Sequence, residues 1–343
     1  GRVWIGWHAT LGIEVAAKVL SEEAAESPTH VARFHAEARA YARIDNAHVV
    51  TLFDHGRVAA GRELPEGTPY MVLELLEGQS LHDRIALDGP LSFDETLVVM
   101  RGIAEALDTA HAKGILHRDV KPHNVFLVER PGEPPLVKLT DYGSAKQSGL
   151  RGQLQTKPDL VVGTPAYLCR DLLLNPRLRD PRVDLWSLGV TAYKCLTGRL
   201  PFDGEDIVAS CQAIMVGRFT RPSRIRPNLP TAVDEWFERV FSRDARERPA
   251  SAAEMVRSFG WTRRAAIRRT RRIAVAAVLS AAAMASLVVL ARRPQTVATQ
   301  PEARPLAKST AAPGGAPPPP LLLPPPRGGV VAAAQARAAP ALQ

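Results

Sequence analysis

Cysteine is scarce in this chain of 343 residues: Cys169, Cys195 and Cys211 are all there is, and none falls in a CxxC or other metal-ligand spacing. That excludes a disulfide framework and a cysteine-built metal centre, and free thiols suit a reducing cytosol. Acidic residues are missing from 261–272, which hold six arginines, and both charge and proline are missing from Ile273 to Ala291. Residues 273–343 hold six bases against the single acid Glu302, so the overall charge of +9 leaves the first 260 residues at −2. The part of the chain long enough to build a core therefore has no excess of basic charge, and we expect no nucleic-acid partner. With 45% hydrophobic residues, the length allows one large domain plus appendages.

What is present is concentrated in a few short runs. Residues 117–124 read His-Arg-Asp-Val-Lys-Pro-His-Asn, which sets Asp119 and Asn124 five residues apart with Lys121 between them. Upstream, Val15, Ala16, Ala17 and Lys18 end an alternating apolar stretch of the kind that forms a strand. A lysine inside such a strand needs a counter-charge, and Glu37 lies nineteen residues on. Phe34, Glu37, Ala38 and Tyr41 fall at i, i+3, i+4 and i+7, so Glu37 is predicted on the inward edge of an amphipathic helix. Downstream, the apolar strand Leu136 to Leu139 leads into Asp141, Tyr142 and Gly143. Further on stand Gly163-Thr164-Pro165-Ala166-Tyr167, then Asp184-Leu-Trp-Ser-Leu-Gly189, then Arg248-Pro-Ala-Ser251.

These runs, in this order, resemble a bacterial eukaryotic-type (Hanks-type) serine/threonine protein kinase from Gly1 to about Gly260. The resemblance implies an α+β, bilobal fold with a small β-rich N-lobe and a mainly helical C-lobe. It implies ATP and Mg²⁺ (or Mn²⁺) as cofactors and Ser/Thr hydroxyls of proteins as acceptors. In that frame Asp119 receives the substrate hydroxyl, Lys121 adds a cation near the transferring phosphate, and Asn124 and Asp141 hold the metal. Lys18 contacts the nucleotide phosphates and pairs with Glu37; Val3 closes the glycine-rich loop. Leu73 is the gatekeeper, backbone groups of Glu74 and Leu76 meet the adenine edge, and Ala16 and Phe126 sandwich the ring. Lys121, two residues after the Asp, is the serine/threonine form of the loop. Thr164 is expected near Asp119 and Lys121, and Arg118 is the type of residue that receives an activation-loop phosphate, on Thr156 in preference to Ser148. A helix is predicted over Glu95 to Lys113, and a homodimer is compatible with this reading.

The departures matter as well. Only Gly1 remains of the three glycines that normally let a loop backbone cover the phosphates, and no initiator Met is present. We expect a fragmentary start rather than a degenerate kinase, and a polypeptide that holds ATP poorly as written. Tyr142 replaces the usual Phe and keeps the aromatic plug. Cys169-Arg170-Asp171 replaces small-Pro-Glu, so the bridge from Asp171 to Arg248, one methylene short, is expected to be strained or water-mediated.

Ile273 to Ala291 is nineteen uncharged residues, eight of them Ala. As a helix it is about 28 Å long, matching a bilayer hydrocarbon core. Six arginines precede it and only Arg292 and Arg293 follow at once, which places the N-terminal side in the cytoplasm. The predicted layout is kinase domain 1–260, basic juxtamembrane segment 261–272, transmembrane helix 273–291 and a Pro/Ala-rich disordered tail 292–343 outside the plasma (inner) membrane, with proline runs at 317–320 and 324–326. The main expectation is a membrane-anchored serine/threonine kinase. A catalytically impaired pseudokinase serving as a membrane-tethered scaffold is the alternative, opposed by the intact Lys18, Glu37, Asp119, Asn124 and Asp141. A small-molecule phosphotransferase is opposed by Lys121 and the Gly163–Tyr167 segment.

Overall fold

The computed structural model describes residues 2–59, 64–142, 165–263, 278–280 and 284. All of them belong to one compact unit, Gly1–Met284; the second unit, Ala285–Gln343, lies outside the described residues. Gly143, Ser148, Thr156, Gly163 and Thr164 also lie outside them.

The chain opens with a hairpin, β1 (Arg2–His8) and β2 (Ile13–Val19), closed where Gly12 at φ 65° donates its N–H to the His8 carbonyl at 2.8 Å. β3 (Leu52–Arg57) and β4 (Pro69–Glu74) complete an antiparallel sheet in the order β1-β2-β4-β3. Its register pairs Val3 with Lys18, Ile5 with Ala16, Ala16 with Leu73 and Lys18 with Met71. Directly opposed residues share a face, so Val3, Ile5, Ala16, Lys18, Met71 and Leu73 all lie on one side. Met71 and Leu73 are buried on it, while Val3 and Ile5 at its edge are exposed.

After a single turn, α1 (Glu22–Ala25), comes α2 (Pro28–Tyr41), with proline at its first position, where a missing N–H costs nothing. Phe34, Ala38 and Tyr41 bury the inner face of α2. A second small antiparallel sheet is built from β5 (Gly78–Ser80), β6 (Val125–Val128) and β7 (Leu136–Leu139), and α3 (Leu81–Asp88) follows β5 directly.

The predicted helix over 95–113 runs over Phe93–Ala112 as α4. Ser92 and Glu95 form a reciprocal capping box, which moves the start two residues ahead of the expectation. α4 lies so close to β7 that a Cβ on Gly102 would come within 2.6 Å of Val137 Cβ. Behind it, after α5 (Arg170–Leu174), runs α6 (Arg182–Thr197), whose side chains are buried nearly all round, the signature of a helix with no solvent face. α7 (Ile207–Val216), α8 (Pro222–Ile225), α9 (Thr231–Val240) and a helical stretch over 252–263 surround it. Trp186 of α6 stacks on Phe202 at 5.3 Å and meets Phe241 at 5.0 Å, so the larger lobe has an aromatic centre. Among the described residues no helix is long and apolar enough to cross a membrane. Most of Ile273 to Ala291 lies outside them.

Candidate active site

The run 117–124 lies between α4 and β6, and its shape is imposed from beneath by one carboxylate. Asp184, fully buried at the start of α6, accepts the Arg118 N–H at 2.6 Å on one oxygen and the His117 N–H at 2.9 Å on the other. His111 Nε2 of α4 lies 2.8 Å from that second oxygen. Burial opposes charge on Asp184, but His111, His117 and the Arg118 amide outweigh it and hold the carboxyl below its ordinary range. These bonds keep Arg118 at φ 64°, one of two non-glycine residues with positive φ among the described residues. His117 is buried, which holds its imidazole below the usual value. Its Nδ1 accepts the Asp119 N–H at 3.2 Å and its Nε2 donates to the Thr140 carbonyl at 2.9 Å, the pattern of a neutral ring.

On the resulting loop, Lys121 Nζ lies 3.0 and 3.2 Å from the two Asp119 carboxylate oxygens. Asn124, at the end of the 3-10 turn Pro122–Asn124, donates its side-chain N–H groups to the Asp119 carbonyl at 2.8 Å and carboxylate at 2.9 Å. With its side-chain nitrogen donating to Asp119, Asn124 keeps an amide oxygen, which can only accept. An amide oxygen and a half-exposed Asp141 carboxylate are hard donors of the kind Mg²⁺ takes, so the residues present fit that ion. Thr140 donates its N–H to the Asn124 carbonyl at 2.9 Å, which fixes the strand that delivers Asp141.

Lys18 crosses between the lobes. Its Nζ lies 2.7 Å from Glu37 Oε1 on α2 and 2.6 Å from Asp141 Oδ1 beyond β7. Burial works against the Lys18 charge, but the two carboxylates reverse that and raise its pKa. Glu37 is shifted up, burial outweighing its lysine. Asp141 is shifted down: burial opposes its charge as well, and the Lys18 ammonium prevails.

At the other end of the cleft Leu73 is buried at the end of β4 and Leu76 packs partly buried against the core. Phe126 sits half-buried on β6 and Ala16 half-buried on β2. Glu74 has a role that its sequence gave no hint of. Its N–H is donated to the Thr51 carbonyl at 2.9 Å, so the amide is not available to a ligand. Its carboxylate accepts from Lys138 Nζ at 2.6 Å, a part-buried ion pair joining β4 to β7. Lys138, a lone lysine in an apolar strand, was a readable signal; its partner, 64 residues away, was not.

The Asp171–Arg248 bridge, expected to be strained or water-mediated, is a direct contact. Arg248 Nη1 meets Asp171 Oδ2 directly at 2.5 Å, with Arg248 almost fully buried. The guanidinium lies over the Trp186 ring, 5.0 Å from its centroid, and donates from Nε to the Ser242 carbonyl. Arg118 donates a side-chain N–H to the Leu178 carbonyl at 2.7 Å.

Compared with known proteins, residues 1–259 match the model of the protein kinase domain. The chain is 38% identical over 253 residues to the serine/threonine-protein kinase Pkn1 of Myxococcus xanthus, covering 74% of this chain and 35% of that protein. It is 34% identical over 255 residues to the probable serine/threonine-protein kinase PknB of Bifidobacterium longum, covering 74% and 36%. It thus spans about a third of the length of these relatives. Among solved structures, a single-site mutant of the Mycobacterium tuberculosis PknI kinase domain superposes with a TM-score of 0.58 at 24% identity, covering 76% of this chain and 90% of that one.

Proposed function

Because this chain belongs to the protein kinase family, and to its bacterial serine/threonine type, we propose that it transfers the γ-phosphate of ATP to serine and threonine hydroxyls of proteins, its own activation segment included. The observation that carries this reading is the convergence on one cleft of Lys18 with Glu37 and Asp141, and of Asp119 with Lys121 and Asn124. Bound ATP·Mg²⁺ supplies the phosphoryl group and the charge that neutralises it.

The protein's own part is placement and electrostatics. Glu37 and Asp141 hold the Lys18 ammonium at a fixed point from which it positions phosphate oxygens. Asn124 and Asp141 offer the oxygens that hold the metal. Asp119, oriented by Lys121 and Asn124, accepts the hydrogen bond of the incoming hydroxyl and takes its proton. Lys121 then stabilises charge on the transferring group. Leu73, Ala16, Phe126 and Val3 enclose the base, with the Glu74 carbonyl and Leu76 N–H at its edge.

We further infer that the protein is a single-pass membrane protein with the kinase domain in the cytoplasm and the Pro/Ala-rich tail outside. The uncharged span from Ile273 to Ala291 and the six arginines before it support that topology.

The test is Asp119→Asn. Phosphate transfer from ATP·Mg²⁺ to a Ser/Thr peptide mixture should be abolished while binding of a fluorescent ATP analogue persists. Equal turnover in the variant would remove Asp119 from the role given to it.

A further inference from the structure

We propose that Tyr41 is a positioning residue: its hydroxyl pins the backbone of Asp141 and so sets the metal-holding carboxylate from the helix that also carries Glu37. The proposal rests on the kinase reading of the cleft.

Asp141 is the second residue besides Arg118 with positive φ among the described residues, at 56°. A side chain with a Cβ is strained there and persists only where its surroundings hold it. The holding groups change over within one peptide unit. Thr140 is tied to the larger lobe, its N–H donated to the Asn124 carbonyl and its own carbonyl accepting from His117 Nε2. Asp141 is tied to the smaller lobe instead. Its N–H is donated to Tyr41 Oη at 2.6 Å and its carboxylate receives Lys18.

Tyr41 stands one turn after Glu37 on α2 and is buried, with its ring edge-on to Tyr142 at 5.7 Å. The helix therefore grips Asp141 twice, through Glu37 and Lys18 on the side chain and through Tyr41 on the amide. A displacement of α2 would release both grips together, and the amide grip does not depend on charge. Burial, with the Glu37 and Asp141 carboxylates close by, pushes the Tyr41 hydroxyl well above its usual pKa, so it stays neutral throughout any practical assay range. A phenylalanine at this position would fill the same space and keep the contact with Tyr142, removing only the acceptor.

Tyr41→Phe is accordingly the informative variant, with Tyr70→Phe as control, since that exposed hydroxyl donates to Asp54 away from the cleft. Three readouts apply to the full-length protein. In the absence of nucleotide, exchange of the Asp141 amide should be slow in the parent and at least roughly threefold faster in Tyr41→Phe, the effect of losing one neutral hydrogen bond. In the presence of Mg²⁺, binding of a fluorescent ATP analogue should weaken about three- to tenfold, on the same basis, while metal-free binding is unchanged. In turnover, kcat should fall with the peptide KM unaltered, and Tyr70→Phe should behave as the parent throughout. An unprotected Asp141 amide in the parent overturns the proposal outright, and it needs no variant to fold. Unchanged exchange together with an unchanged Mg²⁺ requirement in Tyr41→Phe does the same. A parent that binds nucleotide but transfers nothing would defeat the kinase reading, and the exchange measurement would still decide the Tyr41 contact.

Discussion

Removing Asp171 should cost this fold more than removal of any exposed acid. Arg248 is 2% exposed, and among the described residues its charge is answered by one carboxylate, Asp171, which is 24% exposed. Among the described residues its other contacts include the Ser242 carbonyl and the Trp186 ring, and its Nη2 has no hydrogen-bond partner. Breaking a buried pair by deleting one member leaves an uncompensated charge, which costs about 3–5 kcal/mol. Partial exposure of Asp171 lets water reach the guanidinium, so Asp171→Ala is expected at the lower end, about 3 kcal/mol. For a domain of this size each kcal/mol shifts the melting temperature by about 2–4 °C, so a drop of roughly 6–12 °C should appear in circular-dichroism melts. The double variant Asp171→Ala/Arg248→Met, which removes the buried charge as well, should recover more than half of that loss. A single variant melting within about 2 °C of the parent would refute the inference that this bridge is buried and direct.

Lys18→Met should cut turnover by about 10²–10³-fold, the usual effect of deleting one pre-positioned electrostatic group, and circular-dichroism melts of the larger lobe should be unaltered. Stability should be level from pH 8 to 7 and decline below about 6.5, the ordinary value for histidine. The sign follows from His117: its folded pKa is depressed by burial, so the unfolded chain takes up a proton that the folded one resists. Asp184, also depressed, adds a further loss below about pH 4 as its unfolded carboxyl protonates first; urea midpoints across that range would check both. Full-length protein should sediment with membranes and resist carbonate, a truncation after Gly260 should not, and protease added to intact cells should remove only the tail. Digestion of the kinase domain from outside would reverse the proposed orientation.

How far the site was legible depended on how local each signal is. Asp119, Lys121 and Asn124 could be read because one loop carries them at fixed spacing, and Lys18 with Glu37 because a strand and a helix each announce their period. Tyr41 was legible as a buried helical residue, but its hydroxyl partner lies 100 residues away. Asp184 was read only as the opening of a central helix; that it holds both His117 and Arg118 depends on tertiary packing of α6 under the loop. At Asp171 the shorter side chain was legible, but the Trp186 ring beside its partner Arg248 was not, because it comes from a distant part of the chain. Backbone groups of Glu74 were assigned to the adenine edge; its amide is already donated to the Thr51 carbonyl, which leaves the Glu74 carbonyl for that role.

The central claim is metal-assisted transfer to an aliphatic hydroxyl from this one cleft. Its most direct test is phosphoamino-acid analysis after incubation of the protein and a mixed peptide substrate with γ-labelled ATP and Mg²⁺, beside Asp141→Asn. Label is expected on phosphoserine and phosphothreonine, and on neither in the variant. Label on tyrosine alone, or equal incorporation in Asp141→Asn, would contradict the assignment.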